Sequence, residues 1–346
     1  MIKAIDDERQ HEDSASAVSQ DMPADASVPP GSAGQRVDTI AAALFPAHSR
    51  SRLQGWISAG HLLVDGVSRR PRDRLHGGER LNWALPGGAL ADLQSQDFRE
   101  NALGILAEDL PTGIVHTDES IHIVDKAADT VMHPAPGHPS GTLMNALLHH
   151  DPSLRTLPRA GIVHRLDRQT SGLCVIARTL EAHTALVRQL QARRMGRRYL
   201  AVVIGDPAES GTVDRPIGRD PRDRKRMAIT HGGKPAITHW RVLERFAGAA
   251  LLDVQLETGR THQIRVHMTA LGHPLVGDPV YRDNRVLSTT YRSGTPVREL
   301  VDAFGRQALH ATRLTLAHPS DGREVKFDSP MPPDMVMLCD ALPSVR

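Results

Sequence analysis

The stretch AGIVHRLDRQTSGLCVIAR, residues Ala160 to Arg178, decides the fold of this chain. Two apolar runs, Ile162-Val163 and Leu173 to Ala177, flank a polar turn that has Asp167 at its centre. Their short length and β-branched content predict two strands, with Gly172 ending the connection between them. Aspartate is common in turns, where it bonds its own backbone, so Asp167 taken alone also fits a purely structural role.

The neighbours of Asp167 favour a chemical role. His164 and Arg165 stand before it, and Arg168 and Thr170 follow it. A carboxylate therefore lies beside two guanidinium groups at the mouth of a predicted sheet. Basic segments further along the chain can converge on the same place, which makes this turn the candidate site.

Composition bounds the class of protein. With 346 residues the chain can form a main domain and a smaller one. Cys174 and Cys339 are far apart and have no C-x-x-C spacing, which argues against a zinc site or a disulfide framework and indicates a reducing compartment. No run of 18 apolar residues exists, so no transmembrane helix is predicted. Residues 1–33 contain no apolar segment of the kind a secretory signal needs. We expect a cytoplasmic protein with no membrane partner.

The charge is distributed unevenly. The net charge of the whole chain is +2, but residues 1–33 alone carry seven acidic and two basic residues. A basic body suits a polyanionic partner. With 5 Phe, 3 Trp and 3 Tyr, a broad stacking platform for single strands is not expected. Residues 1–33 show no apolar periodicity and are predicted to be a disordered acidic tail.

Residues 34–86 have the pattern of a small separate domain. Two helical segments precede a hairpin signal at Asp65-Gly66, and eight arginines stand against four acids. Arg50 and Arg52 open the second helix and are predicted RNA contacts, although a solvated helix face is the simpler alternative for two arginines. The order of elements, with S-R-S-R-L-x-x-W-I and L-V-D-G, resembles the S4 RNA-binding domain. Residues 87–107 are predicted to be a linker and 108–346 the main domain.

Two basic segments lie downstream of the Asp167 turn. Four arginines occupy residues 193–198, and Tyr199 then leads a strand. A solvated helix end and a half-buried strand tyrosine are the structural alternatives. Residues 215–226 hold six basic residues among Pro and Gly and predict an exposed loop that contacts phosphate. The predicted RNA contacts in these segments are Arg197, Arg198, Arg224 and Lys225.

The second informative stretch is ETGRTHQIRVHMTALG, residues 257–272. Thr261 is predicted to cap a helix whose buried stripe contains Ile264, Met268 and Leu271. Arg265 falls at the margin of that stripe and can point back at the Asp167 turn. His262 and His267 are five residues apart, so they lie on different helix faces. No Cys or carboxylate completes a ligand set, and no metal site is predicted.

Four motifs in order carry a resemblance. They are H-R-L-D-x-x-T-S-G-L at 164–173, R-R-Y-L-A-V at 197–202, G-R-T-H-Q-I-R-V-H at 259–267 and H-P-L-V-G-D at 273–278. Together they resemble the RluA-type pseudouridine synthases. The resemblance implies an α+β fold, with a large mixed, mainly antiparallel sheet, flanking helices and a central cleft, behind the S4-like domain. The family commonly has N-K-P where this chain has Asp125-Lys126-Ala127, so the end of that strand can be shaped differently.

The resemblance also implies residue roles. Asp167 matches the catalytic aspartate, Tyr199 the tyrosine that packs on the target base, and Arg265 the basic residue that pairs with the aspartate. Arg165 matches the arginine that fills the gap left by the flipped base. Leu275 matches an apolar wall of the pocket.

Two further residues of the first motif, His164 and Thr170, are predicted substrate contacts. The implied reaction is isomerisation of uridine to pseudouridine in 23S rRNA, in the helix 69 stem-loop, either on the free rRNA or within a pre-50S particle. A monomer is the default expectation. Bonds broken and formed balance, so no cofactor is expected. Another 23S site, or tRNA, is an alternative target. A non-catalytic RNA-binding protein of ribosome assembly is a second reading. A glycoside hydrolase is a third, although it normally needs a second carboxylate in the motifs.

Overall fold

The structure is a computed structural model that describes residues 25–45, 50–84, 105–135, 138–223 and 226–345. Two compact units divide the chain, residues 1–96 and 97–346. None of the helices in the described ranges is both long and apolar enough to span a membrane.

The N-terminal unit combines two helices with a small antiparallel sheet in the order β1-β3-β2. Its core is formed by apolar residues from both helices and from the strands, with Leu53, Trp56 and Leu81 at most 2% exposed. The elements are β1 (Asp25–Ser27), α1 (Val37–Leu44), α2 (Arg50–Ser58), β2 (Leu62–Val64) and β3 (Arg80–Trp83).

The prediction of a disordered tail over residues 1–33 is wrong for its last part. Strand β1 pairs with β3, and a 3-10 helix follows at Pro30–Ser32. Val28 is 1% exposed, and its backbone N–H donates to the Glu79 carbonyl at 2.8 Å. One buried valine and an open edge of β3 are enough to order this segment, although its composition is polar. Residues 1–24 lie outside the described ranges.

The C-terminal unit is built on a nine-stranded sheet within the described residues. The strand order is β4-β5-β6-β13-β7-β12-β11-β8, with β14 on β13, and every pair is antiparallel except β6-β13. The predicted large, mainly antiparallel sheet is confirmed. The strands are β4 (Ile114–Thr117), β5 (Ile121–Lys126), β6 (Ser171–Ala177), β7 (Gly196–Ile204), β8 (Ser210–Asp214), β11 (Ile237–Phe246), β12 (Ala249–Leu256), β13 (Leu309–Ala317) and β14 (Glu324–Asp328). A separate hairpin is formed by β9 (Ile217–Arg219) and β10 (Met227–Ile229).

Helices cover both faces of this sheet. One face packs on α3 (Leu143–His150) and α5 (Gln263–Ala270), and its apolar cluster contains Tyr199. The other face packs on helices drawn from later and intervening segments. These are α4 (Leu180–Gln191), α6 (Asn284–Thr290), α7 (Pro296–Ala303) and α8 (Pro333–Ala341).

The prediction that residues 87–107 form a linker is wrong for the last residues of this range. The Asn145 side chain donates to the Leu106 carbonyl at 2.7 Å, and Arg155 Nη1 donates to the Ile105 carbonyl at 3.3 Å. Ile105 also packs against the main apolar cluster. These contacts make residues 105–107 part of the C-terminal unit, whereas residues 87–104 lie outside the described ranges.

Strand β13 positions the candidate site because it lies between β6 and β7. It pairs Ala311 with Gly172 on one side and with Tyr199 on the other. Gly172 has φ +109°, and a Cβ there would lie 2.3 Å from the Ala311 carbonyl oxygen. Only glycine permits this approach, which brings the turn before β6 close to β7.

Candidate active site

Asp167 lies on the turn that leads into β6, and backbone contacts hold this turn. The Thr170 N–H donates to the Asp167 carbonyl at 3.0 Å. Behind the turn, the buried Lys126 donates from Nζ to the Arg168 carbonyl at 3.0 Å and to two other carbonyls. Burial lowers the pKa of Lys126 to about 8. The Asp167 side chain is 15% exposed, so most of its surface is shielded from solvent.

Arg265 of α5 joins Asp167 to a second carboxylate. Its Nη1 donates to Asp167 Oδ2 at 3.0 Å, while its Nε and Nη2 donate to Asp278 at 2.7 and 2.8 Å. Burial opposes the charge on both Arg265 and Asp278. Their mutual hydrogen bonds prevail, raising the pKa of Arg265 and lowering that of Asp278. Asp278 therefore anchors the guanidinium, and the guanidinium orients Asp167.

Tyr199 and Leu275 are both buried in the C-terminal unit. Both belong to the main apolar cluster and are 6% and 1% exposed. Burial raises the pKa of Tyr199, and although the Arg197 charge opposes this effect, the Asp167 charge adds to it. The phenol is therefore protonated at neutral pH and acts on Asp167 as a neutral neighbour.

The predicted cap of α5 is wrong. His262, not Thr261, is the N-cap residue, with φ +57° and no side-chain cap bond. The turn is held instead by Gln263, whose Oε1 accepts from the Arg260 N–H at 2.9 Å. This conformation brings His262 Nε2 to 4.0 Å from Asp167 Oδ1.

Sequence reasoning missed the roles of His262 and Tyr281. His262 Nδ1 is 2.8 Å from Tyr281 Oη, and the Tyr281 ring lies 5.0 Å from the Arg265 guanidinium carbon. The spacing of His262 from His267 bears on metal binding alone, and Tyr281 lies just beyond the last motif. The one available signal was the rarity of tyrosine in this chain.

The predicted substrate contacts divide into two groups. Arg165 is exposed on the Asp167 turn. His164 and Thr170 instead hold the scaffold: His164 Nε2 accepts from the Val175 N–H at 3.1 Å, and the buried Thr170 hydroxyl accepts from Gln307 at 3.1 Å. Burial, with the positive charge of Arg197 nearby, lowers the pKa of His164 to about 3, so this ring is neutral.

The two predicted RNA contacts Arg197 and Arg198 have different surroundings. Both lie on β7, and alternate strand residues point to opposite faces of a sheet. Arg197 therefore shares the inward face with Tyr199 and is 8% exposed, with Nη2 3.5 Å from the Glu257 carbonyl. Arg198 lies on the opposite face and pairs with Asp253, with Nε 3.0 Å from Oδ1.

In the N-terminal unit, Arg50 is tied to its own domain. Its Nη2 donates to Asp38 Oδ1 at 2.9 Å and to the Thr39 hydroxyl at 2.8 Å, although its side chain remains 48% exposed. This pairing reduces its freedom to bind phosphate. Three other predicted RNA contacts lie outside the description, namely the side chain of Arg52 and the residues Arg224 and Lys225.

Comparison with known protein families gives two matches. The model described as RNA pseudouridylate synthase matches residues 120–270, and the S4 domain model matches residues 35–81. The first range contains the Asp167 turn, Tyr199 and Arg265. The second contains both helices of the N-terminal unit, strand β2 and the first two residues of β3.

Curated relatives match nearly the whole chain. The ribosomal large subunit pseudouridine synthase D of Pseudomonas aeruginosa is 51% identical over 317 residues, covering 92% of this chain and 95% of the relative. The protein of the same name from Escherichia coli K12 is 45% identical and covers 89% and 91%. These matches span both units.

Two solved structures share the fold over 69% and 71% of this chain. Human RNA Pseudouridylate Synthase Domain Containing 1 superposes with a TM-score of 0.50 and 26% identity, over 69% of this chain and 100% of that chain. Human RNA Pseudouridylate Synthase Domain Containing 4 gives a TM-score of 0.52 at 21% identity, which supports the fold alone.

Proposed function

Because this chain belongs to the RNA pseudouridylate synthase family, we propose that it isomerises uridine in 23S rRNA, in the helix 69 stem-loop. The relatives that carry ribosomal large subunit in their names match both units of the chain. The S4 domain supplies a second RNA-binding element. The observation that carries the catalytic part of the proposal is the Asp167–Arg265–Asp278 arrangement, in which a single guanidinium fixes a partly exposed carboxylate.

The reaction is balanced without a co-reactant. The N1–C1′ bond breaks, a C1′–C5 bond forms, one proton leaves C5 and one proton joins N1. Asp167 Oδ2 is held by Arg265, so Oδ1 is the oxygen that reacts. It either attacks C1′ as the uracil leaves with the bonding electrons, or removes the 2′ proton; both routes use the same oxygen.

Binding requires the uridine to leave its stack. Base flipping costs a few kcal/mol, and the exposed Arg165 offsets part of this cost by filling the vacancy. The detached uracil then lies against the wall of Tyr199 and Leu275, which keeps it oriented and away from water. The neutral phenol is placed near C5, where the last proton leaves.

Tritium release from 23S rRNA labelled at C5 of uridine tests this function. We expect release by the wild type and by Asp129→Asn, and no release by Asp167→Asn, which should bind RNA within a few-fold of the wild type. Asp129 is a matched control because its carboxylate is 60% exposed and its only described ion pair is a 3.6 Å contact with Arg168.

The sites of release are then mapped. Release in helix 69 supports the proposed target, whereas release at another 23S position, or from tRNA only, replaces that target. Substantial release by Asp167→Asn contradicts the proposed role of the aspartate.

A further inference from the structure

His262 faces the reactive side of Asp167. Arg265 binds Oδ2, while Oδ1 faces His262 Nε2 at 4.0 Å and accepts no hydrogen bond from any residue in the described ranges. This distance is too long for a direct hydrogen bond. It leaves room for one substrate oxygen to accept a hydrogen bond from the imidazole. Asp167 Oδ1 can then react at a carbon close to the one that carries this oxygen.

The hydrogen bonds of Tyr281 fix which nitrogen of His262 carries the proton. The Met227 N–H donates to Tyr281 Oη at 2.9 Å, and His262 Nδ1 lies 2.8 Å from the same oxygen. Within the described residues, Nδ1 is the only acceptor available to the single hydroxyl proton. The hydroxyl therefore donates to Nδ1, and a neutral imidazole then carries its one proton on Nε2.

The ring stays neutral and fixed in place. Burial lowers the pKa of His262 and outweighs the opposing effect of the Asp167 charge. The Tyr281 ring, 3% exposed, packs edge-on against His262 with ring centres 5.5 Å apart, and it also contacts Arg265. His262 therefore presents a preoriented N–H donor beside the reactive oxygen.

We propose that His262 is a substrate-binding residue that donates a hydrogen bond from Nε2 to the 2′-oxygen of the target ribose, with Tyr281 as its positioning residue. The 2′-oxygen is bonded to the carbon next to C1′. It therefore lies within reach of a donor that is 4.0 Å from Asp167 Oδ1, whichever of these two neighbouring carbons the carboxylate acts on. This contact would select ribose over deoxyribose, because only ribose carries the 2′-oxygen. The inference rests on the proposed role of Asp167.

The test uses two RNA substrates that differ in one atom. One carries uridine, and the other 2′-deoxyuridine, at the position where the wild-type enzyme releases tritium. Single-turnover rates are measured for the full-length wild type and for His262→Phe, His262→Gln and Tyr281→Phe. Phe removes the donor and keeps a flat ring, Gln keeps an N–H donor, and Tyr281→Phe keeps the packing but removes the hydroxyl.

We expect His262→Phe to slow the uridine substrate about tenfold and to leave the deoxyuridine rate nearly unchanged, as for one lost hydrogen bond. The ratio of the two rates therefore falls about tenfold from its wild-type value. The ratio of the uridine rate to the deoxyuridine rate should be higher for His262→Gln than for His262→Phe. Tyr281→Phe should lower this ratio below its wild-type value without a large change in melting temperature.

A wild-type ratio in His262→Phe overturns the proposal, even if the variant is slow, because a purely structural role lowers both rates equally. A His262→Phe protein that does not fold leaves the decision to Tyr281→Phe and His262→Gln, and wild-type ratios in both overturn it. Residual turnover by Asp167→Asn would contradict the proposed function separately, since that result does not depend on the 2′-oxygen.

Discussion

Replacing Asp278 by asparagine tests whether this residue anchors the Arg265 guanidinium. The Asp278 side chain is fully buried and accepts four hydrogen bonds: two from Arg265 and one each from the backbone N–H groups of Val280 and Tyr281, at 2.7–2.9 Å. Asparagine keeps the shape but places an NH2 group against one of these donors. It also leaves the buried Arg265 with Asp167 as its only described carboxylate partner.

The expected loss of stability is large. Removing one partner of a buried ion pair costs about 3–5 kcal/mol. For a unit of this size, each kcal/mol lowers the melting temperature by about 2–4 °C, so Asp278→Asn should melt on the order of 10 °C below the wild type. The matched change Asp167→Asn alters a single bond at 3.0 Å on a partly exposed side chain. It should cost no more than about 1 kcal/mol because Arg265 keeps its bidentate partner.

Thermal unfolding of the three proteins by circular dichroism checks this contrast. The pKa of Asp278 is lowered below its ordinary 3.8 because the bonds from Arg265 outweigh burial. Its contribution is therefore complete above pH 4 and is lost as the pH falls further, so the difference between wild type and Asp278→Asn should shrink in acid. An Asp278→Asn protein that melts within about 2 °C of wild type at pH 7 refutes the anchor. If Asp278→Asn and Asp167→Asn lower the melting temperature equally, the conclusion that Asp278 and not Asp167 anchors Arg265 is refuted.

Other perturbations probe separate parts of the molecule. Gly172→Ala should melt several degrees below Gly272→Ala, because both have positive φ but only Gly172 would place a Cβ against Ala311; equal melting temperatures contradict the close approach. Burial raises the pKa of Asp38, but hydrogen bonds to it prevail and hold the value at about 2. The N-terminal unit should therefore lose stability between about pH 4 and 2, and Asp38→Asn should flatten this loss in acid titrations followed by tryptophan fluorescence. Arg197→Met should lower stability and turnover but leave unchanged the slope of log RNA affinity against log salt concentration, since a buried guanidinium releases no counterions. A slope reduced by about one unit would show that Arg197 contacts phosphate.

Most strong patterns of the sequence led to the right elements. The unbroken apolar run at 173–177 lies in strand β6, whereas the shorter run Ile162-Val163, also predicted to be a strand, forms only an isolated bridge from Ile162 to Ile176. The helical stripe around Arg265 is α5, but Leu271, which was expected to be buried, lies beyond the end of this helix and is 41% exposed. The motifs also predicted that Arg265 pairs with Asp167, and the Arg265 Nη1 to Asp167 Oδ2 distance is 3.0 Å. These features depend on local periodicity and on motifs, both of which are present in the chain itself.

Features that depend on tertiary pairing were missed. Tyr199 was predicted to lead a strand, but strand β7 begins earlier, at Gly196, so Arg197 belongs to a strand face and not to a helix end. Its inward direction is set by pairing with β12 and β13, which no local pattern records. The left-handed conformation of His262 is likewise imposed by the hydrogen bonds of Gln263. Strand β1 has three residues and gains order only from β3.

The place of β13 in the sheet has a consequence for biosynthesis. Within the described residues, strands β4 to β6 are hydrogen-bonded into one sheet with β7, β12, β11 and β8 only through this strand. Strand β6 ends at Ala177, whereas β13 begins at Leu309, so the two groups of strands are made well before the strand that joins them. The sheet that carries the Asp167 turn and the strand of Tyr199 therefore becomes continuous only after residues 309–317 have been made, by a pairing of segments that are distant in the sequence.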